Sequence, residues 1–313
     1  MKQTLICIVG PTAVGKTAIS IRLAQRIDAE IVSLDSRQIY RQMDIGTAKP
    51  TPEQRQAVDH HLIDCVDVDQ PFSAADYQQL ADAAIAAIGE RRKRVMIVGG
   101  AGLYFRALID GIFEGPGANT EIRTRLKREA ETHSATILHE RLRQCDPDAA
   151  ERIHPNNLVR VIRALEVYEL TGKPISDLQQ QWKKTEPRYQ FRAFGLNMPR
   201  EVLYQRIEER ADRMITTGLI EEVKSLLDQG YPRDCVAMQS FGYKEIIDYL
   251  DGVRTHNDAT TLLKQSTRRF AKRQLTWFRN DSRIVWLDLS HFTSIDQIVD
   301  SLFADVLSKG IRG

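Results

Sequence analysis

Cysteine is scarce in this chain of 313 residues, and Cys7, Cys65, Cys145 and Cys235 lie 58, 80 and 90 residues apart. Such spacing offers neither a zinc knuckle nor a Cys-x-x-Cys redox pair and fits a reducing compartment. Long apolar runs are missing too. Near the amino end only residues 5–10 (LICIVG) are continuously apolar, too few for a signal-peptide core or a membrane helix. Charge of one sign is also lacking: 44 Lys and Arg stand against 42 Asp and Glu, a net charge of +2. That balance excludes a globally basic coat for nucleic acid and leaves room for a local basic patch. No internal repeat or low-complexity tract is visible. A soluble, cytoplasmic, membrane-free protein is expected, with one large domain or two ordinary ones and enough hydrophobic residues (42%) to bury a core unaided.

What is present follows an alternating grammar. Residues 4–9 (TLICIV), 30–34 (EIVSL) and 94–98 (RVMIV) are short apolar runs, separated by helical patterns at 16–27 and 76–88. Strand, helix, strand, helix, strand predicts a parallel sheet covered by helices. Two later strands are expected at 191–196 and 283–287. Between them the texture changes: residues 115–186 hold no convincing strand, and at 157–170 Leu158, Val161, Ile162, Leu165 and Tyr168 share one helical face. The expected organisation is an α/β P-loop core (1–114 and 187–313) interrupted by an all-helical insertion (115–186).

The sharpest local signal is GPTAVGKT: Gly10, Pro11, Thr12, Ala13, Val14, Gly15, Lys16 and Thr17. It matches G-x-x-x-x-G-K-S/T between a strand and a helix. Glycines let backbone N–H groups turn inward onto phosphate oxygens, and the helix amino end adds partial positive charge. Lys16 supplies a full charge, and the Thr17 hydroxyl is placed to ligate a phosphate-bound magnesium. A diphosphate or triphosphate ligand is expected; a nucleotide is not specified. Asp35 ends the second strand, where ligands of open parallel sheets bind. It could hold magnesium, accept a proton from a nucleophile, or cap a following helix. The cluster Gly99, Gly100, Ala101, Gly102 either reaches the same crevice or forms a plain turn.

Two basic stretches stay open to two readings. Arg206, Arg210 and Arg213 share a helical face, either solvated or clamping phosphate oxygens. Residues 264–283 carry seven basic side chains against Asp281 alone, with Phe270, Trp277 and Phe278 among them. That pattern fits single-stranded nucleic acid, whose bases stack and phosphates pair, or an amphipathic helix with its aromatics on the sheet.

Taken in order, several motifs resemble the tRNA dimethylallyltransferase (tRNA isopentenyltransferase) family. These are GPTAVGKT at 10–17, DSRQIY at 35–40, MDIGTAKP at 43–50, HHLID at 60–64, GGAGLY at 99–104, RVIRALEVYELTGKPIS at 160–176, FGYKE at 241–245 and AKRQLTWFR at 271–279. The resemblance implies transfer of a dimethylallyl group from dimethylallyl diphosphate to the exocyclic amine of the adenine 3′ to the anticodon, in tRNAs reading codons that begin with U. It implies a magnesium cofactor and a tRNA anticodon stem-loop as partner; a monomer is expected. By motif, residues 10–17 would hold the diphosphate, with Thr12 and Arg206 assisting its departure, Thr17 on the metal and Asp35 as base. Contacts to tRNA would fall on Asp35, Ser36, Arg37, Gln38, Ala101, Arg123, Val159, Arg160, Val161, Ile162 and Arg163. Ala101 stands where the family usually has threonine, so one hydroxyl contact is lost. The rival readings are a P-loop kinase for small molecules, prenyl transfer to free adenine nucleotides, and an RNA-binding switch without chemistry. An Asn-Lys-x-Asp guanine signature is absent, which argues against a GTPase form of that switch.

Overall fold

Five consecutive apolar residues form β1 (Leu5–Val9), and all five are buried, as a strand covered on both faces requires. The computed structural model describes residues 4–112, 115–179 and 186–308. After β1 come α1 (Lys16–Ile27), β2 (Ala29–Leu34), α2 (Pro52–Ala57), β3 (His60–His61), α3 (Ala74–Glu90), β4 (Arg94–Gly99) and α4 (Gly102–Asp110). Asp28 closes α1 in the left-handed region, φ 50°, its N–H reaching the Ala24 carbonyl. Ser73 starts α3 through a reciprocal capping box with Asp76.

The middle of the chain is helical: α5 (Thr120–His133), α6 (Ala135–Cys145), α7 (Pro147–Arg152), α8 (Leu158–Thr171) and α9 (Ile175–Gln179). Then follow β5 (Phe191–Asn197), α10 (Arg200–Thr216), α11 (Leu219–Asp228), α12 (Tyr243–Leu250), α13 (His256–Arg279), β6 (Ile284–Asp288) and α14 (Ile295–Ser308). The six strands pair in the order β3-β2-β4-β1-β5-β6, and every pairing is parallel. This is the α/β P-loop class expected.

The chain divides into two compact units, Met1–Ile109 with Arg188–Gly313, and Asp110–Pro187. The expected boundary residue 114 and the stretch 180–185 lie outside the described residues. In the sheet unit, one cluster led by Cys7, Val32, Ile97, Tyr77 and Phe278 fills one face, and Ile6, Ile8, Leu23, Phe194 and Leu302 fill another. The helical unit has its own core, including Leu126, Leu138, Leu142, Val161 and Leu165. Among the described residues no helix is long and apolar enough to cross a membrane.

Candidate active site

The loop after β1 turns where it must. At Gly10, φ 147°, a Cβ would stand 2.7 Å from the Leu196 carbonyl oxygen of β5, a contact no side chain tolerates. Ala13 (φ 67°) and Gly15 (φ 106°) repeat the left-handed turn and aim successive backbone groups inward. No side chain caps α1 at Gly15, so its first amide groups remain available to an anion. Lys16 Nζ lies under the loop and donates to the carbonyls of Gly10 (3.0 Å) and Pro11 (2.8 Å). Burial pushes its ammonium down to about 7, with Asp35 opposing that shift and Arg210 adding to it. Pro11 and Val14 are buried and take part through backbone shape. Thr17 is half-buried, and its hydroxyl has no hydrogen bond among the described residues.

Asp35 follows β2. Its Oδ1 accepts from the N–H groups of Arg37 (2.8 Å) and Gln38 (3.3 Å), which closes a turn; no helix follows before α2 at Pro52, so the helix cap weighed above does not form. The other oxygen has no hydrogen bond among the described residues, and Asp35 lines a cavity with Thr12, Lys16, Arg37, Arg210 and Gln274. Arg210 comes from α10 and donates through Nη2 to Thr12 Oγ1. Burial pushes its guanidinium down to about 10, which Asp35 partly opposes. No ion pair joins Asp35 to either cation among the described residues. The rest of the lining is Gly46, Thr47, Ser240, Phe241, Tyr243 and Phe270.

Sequence reading missed Gln274 and passed over Arg210 in favour of Arg206. Gln274 accepts from Thr12 N–H (2.8 Å) and donates to Gly100 O (3.0 Å), tying the phosphate loop to the turn after β4. That turn is glycine-rich for packing: a Cβ at Gly99 would lie 2.0 Å from Leu34 O, at Gly100 2.0 Å from Gln274 Nε2, and at Gly102 2.1 Å from the Trp277 ring. Ala101 bonds through its N–H to Leu34 O (3.0 Å). Arg206, one turn before Arg210, is exposed; its Nη1 stands 3.9 Å from where a Gly15 Cβ would be, beside the loop and outside the cavity lining.

The neighbouring stretch 35–38 is divided in its roles. Arg37 lines the cavity and donates to Val236 O (3.0 Å). Ser36 is half-buried beside it. The Gln38 amide is committed inward, accepting from Ser33 Oγ (3.1 Å) and donating to the carbonyls of Ala48 (3.2 Å) and Thr47 (3.4 Å).

In the helical unit, residues 159–163 do not share a face. Val161 and Ile162 are 0% and 4% exposed and belong to the core, whereas Val159 is 79% exposed and Arg160 is also exposed. A rotation of about 100° per residue divides the run this way, leaving the side chains of Val159 and Arg160 outward and those of Val161 and Ile162 in the core. Arg123 grips the fully buried Glu166 bidentately (2.8 and 2.9 Å). Arg163 donates to the same carboxylate (2.6 Å) and to Pro116 O (2.8 Å), and Asn119 N–H adds another bond (2.6 Å). These contacts hold the Glu166 carboxyl below its usual range against the opposing effect of burial.

The basic carboxyl segment, mostly α13, splits in the same manner. Lys264 pairs with Asp212 (2.7 Å), Arg268 with Glu208 and Arg283 with Asp281 (2.6 Å). Arg269, Lys272, Arg273 and Arg279 are exposed and have no ion pair among the described residues. Of the two readings of its aromatics, packing against the fold accounts for Phe278 and Trp277. Phe278 is core, Trp277 packs on Gly102 with the Arg106 guanidinium 4.8 Å from its ring centre, and Phe270 alone lines the cavity, 4.7 Å from the Phe241 ring.

Comparison with known proteins agrees with this geometry. A family model described as IPP transferase matches residues 38–281. The chain belongs to the IPP transferase family. Relatives of this IPP transferase include tRNA dimethylallyltransferase 1 of Pelobacter propionicus, 50% identical over 284 residues, 91% of this chain and 92% of the relative. The tRNA dimethylallyltransferase of Carboxydothermus hydrogenoformans is 49% identical over 306 residues, 97% of this chain and 98% of the other. Among solved structures, the full-length tRNA isopentenylpyrophosphate transferase of Bacillus halodurans superposes with TM-score 0.74 at 44% identity, covering 98% of this chain and 97% of that one. A eukaryotic dimethylallyltransferase acting on tRNA gives TM-score 0.80 at 28% identity, covering 98% and 80%.

Proposed function

We propose that this IPP transferase moves a dimethylallyl group from dimethylallyl diphosphate to the exocyclic amine of the adenine 3′ to the anticodon, in tRNAs that read codons beginning with U. The product is isopentenyladenosine and the leaving group is diphosphate. The observation that carries the reading is the cavity's charge: Lys16 and Arg210 are desolvated on its lining, and neither forms an ion pair with Asp35. With Arg37 also on the lining, three cations face one carboxylate, Asp35, and that excess of positive charge suits a ligand with several negative charges.

An adenine amine is a weak nucleophile, because its lone pair is delocalised into the ring. The bond from the allylic carbon to oxygen must therefore loosen early, and the site's main task is to stabilise departing diphosphate. Lys16, Arg210, Thr12 and the loop amides do this in a water-poor cleft. The carbon–nitrogen bond forms, the carbon–oxygen bond breaks, and the amine proton passes to the open oxygen of Asp35. General-base help of that kind contributes roughly a hundred- to ten-thousandfold. The adenine has to leave its stack, at a cost of a few kcal/mol, offset by phosphate contacts to Arg269, Lys272 and Arg273.

Magnesium fits as an ion carried by the diphosphate. Among the described residues no group of three or more His, Cys, Asp or Glu can hold a metal, and the Thr17 hydroxyl has no protein partner. One hydroxyl plus phosphate oxygens and water is a common magnesium arrangement. When bound, the ion neutralises diphosphate charge. The protein acts as a cytoplasmic monomer in this reading.

The test is incubation with an anticodon stem-loop and labelled dimethylallyl diphosphate, in parallel with ATP and small-molecule acceptors. Label on the target adenine supports the transferase. A phosphorylated acceptor from the ATP arm alone would establish the kinase in its place.

A further inference from the structure

We infer that Tyr243, locked by Glu222 and backed by Gly46, is the wall that limits the donor's hydrocarbon to five carbons; this rests on the reading that the cavity takes an allylic diphosphate. The lining combines two chemistries. Lys16 and Arg210 are charged and would take the diphosphate. The rings of Phe241, Tyr243 and Phe270 and the bare backbone of Gly46 are the surfaces suited to hydrocarbon. Phe241 and Phe270 are half-buried, whereas Tyr243 is 0% exposed. Of the three rings, then, Tyr243 closes the inner end, and the partly open pair stands where a base could enter.

The ring cannot swing aside. Its hydroxyl donates to Glu222 Oε1 at 2.5 Å. The same carboxylate accepts from the backbone N–H groups of Asp44 (2.9 Å), Ile45 (2.7 Å) and Gly46 (3.1 Å). One acid on α11 thereby fastens the first residue of α12 to the loop at 44–46. A Cβ at Gly46 would lie 2.5 Å from the Tyr243 ring, so the two surfaces already touch. The loop is held from its far side as well: the buried Lys49 ammonium donates to Tyr40 O (2.6 Å), Asp44 (2.7 Å) and Asp64 (2.5 Å). Moving the ring would break the bond between its buried hydroxyl and a carboxylate that the three amides hold in place. A second prenyl unit would need the volume that this ring occupies.

The experiment measures kcat/KM for dimethylallyl and geranyl diphosphate on one stem-loop RNA, with wild type, Tyr243→Phe and Tyr243→Leu, and follows thermal unfolding of each. Tyr243→Leu is expected to raise the geranyl-to-dimethylallyl ratio by about tenfold or more, the usual scale for added carbons in a fitted pocket. Tyr243→Phe keeps the ring and should leave the ratio near that of wild type. A folded Tyr243→Leu that slows both donors equally, or that changes only the KM for RNA, overturns the inference and hands the wall to the adenine. Should Tyr243→Leu not fold, inhibition of the wild type decides. Geranyl diphosphate should compete no better than inorganic diphosphate, and tight competitive inhibition by it contradicts the wall. Failure of wild type to transfer dimethylallyl at all would count against the transferase reading itself.

Discussion

Two arginine-rich places in this molecule contain similar residues in opposite electrostatic states. In the helical unit, Arg123 and Arg163 converge on the buried Glu166, and both bond to it directly at 2.6–2.9 Å. In the sheet unit, Lys16 and Arg210 border Asp35 without an ion pair, and burial lowers both of their proton affinities. The first arrangement holds helices together. The second sets desolvated cations near Asp35 without direct bonds to it, at a strand end, where a phosphate ligand would favour their charged forms. Counting basic residues cannot separate these cases; the acid that answers them can.

Changing the acid in each place should have unlike effects. Asp35→Ala is expected to reduce kcat by at least about a hundredfold while leaving tRNA affinity unchanged; single-turnover rates and filter binding report both, and normal turnover would remove Asp35 from its role. Arg210→Ala should lower kcat by about a hundredfold, the scale for losing one donor to a developing anion. Arg206→Ala should cost less than about tenfold on the same comparison, and a reversed ranking would return the clamp to Arg206. By contrast, Glu166→Ala should act on stability, by about 3 kcal/mol in denaturant unfolding, because it strands two arginines and an amide. An unaltered midpoint would mean that Glu166 does not hold its unit together.

Subtler consequences concern pH and salt. Burial sets Lys16 near 7, and a bound diphosphate would bring the ammonium back toward its ordinary value. Donor binding should then take up a proton above pH 7, and affinity should fall as pH rises, by up to about tenfold per unit. Calorimetry in buffers of different ionisation enthalpy measures the uptake; Lys16→Met should abolish it. On α13, Lys272→Ala should reduce the slope of log affinity for tRNA against log salt by about 0.7–0.9, whereas Arg268, already paired with Glu208, should change the slope less. Equal slopes for both would make the exposed face a solvated one.

Local signals carried much of this account. The apolar run of β1, the glycines of the loop and the carboxylate closing β2 are all contiguous patterns, and the structure places them where strand, turn and helix rules require. The helix at Leu158–Thr171 also formed, with Val161, Ile162 and Leu165 inward as its periodicity required, although Tyr168, placed on the same face, is exposed and Val167 takes a core position instead. What escaped depends on contacts across the chain. Arg210 reaches Thr12 from 198 residues away, and Gln274 reaches it from 262. A lone glutamine in a basic helix has no local signature. The two-residue β3 is all histidine, and only its pairing with β2 makes it a strand. Val161 and Ile162 illustrate the converse: a motif groups neighbours in sequence, while a helix turns each to a different environment.

The most direct trial uses a donor labelled twice, with carbon-14 in the allyl group and phosphorus-32 in the diphosphate, in one turnover on an anticodon stem-loop. Carbon label on the adenine, with all phosphorus label released as free diphosphate, is the predicted result. Phosphorus label on any acceptor would contradict the claim that Lys16 and Arg210 stabilise a leaving diphosphate.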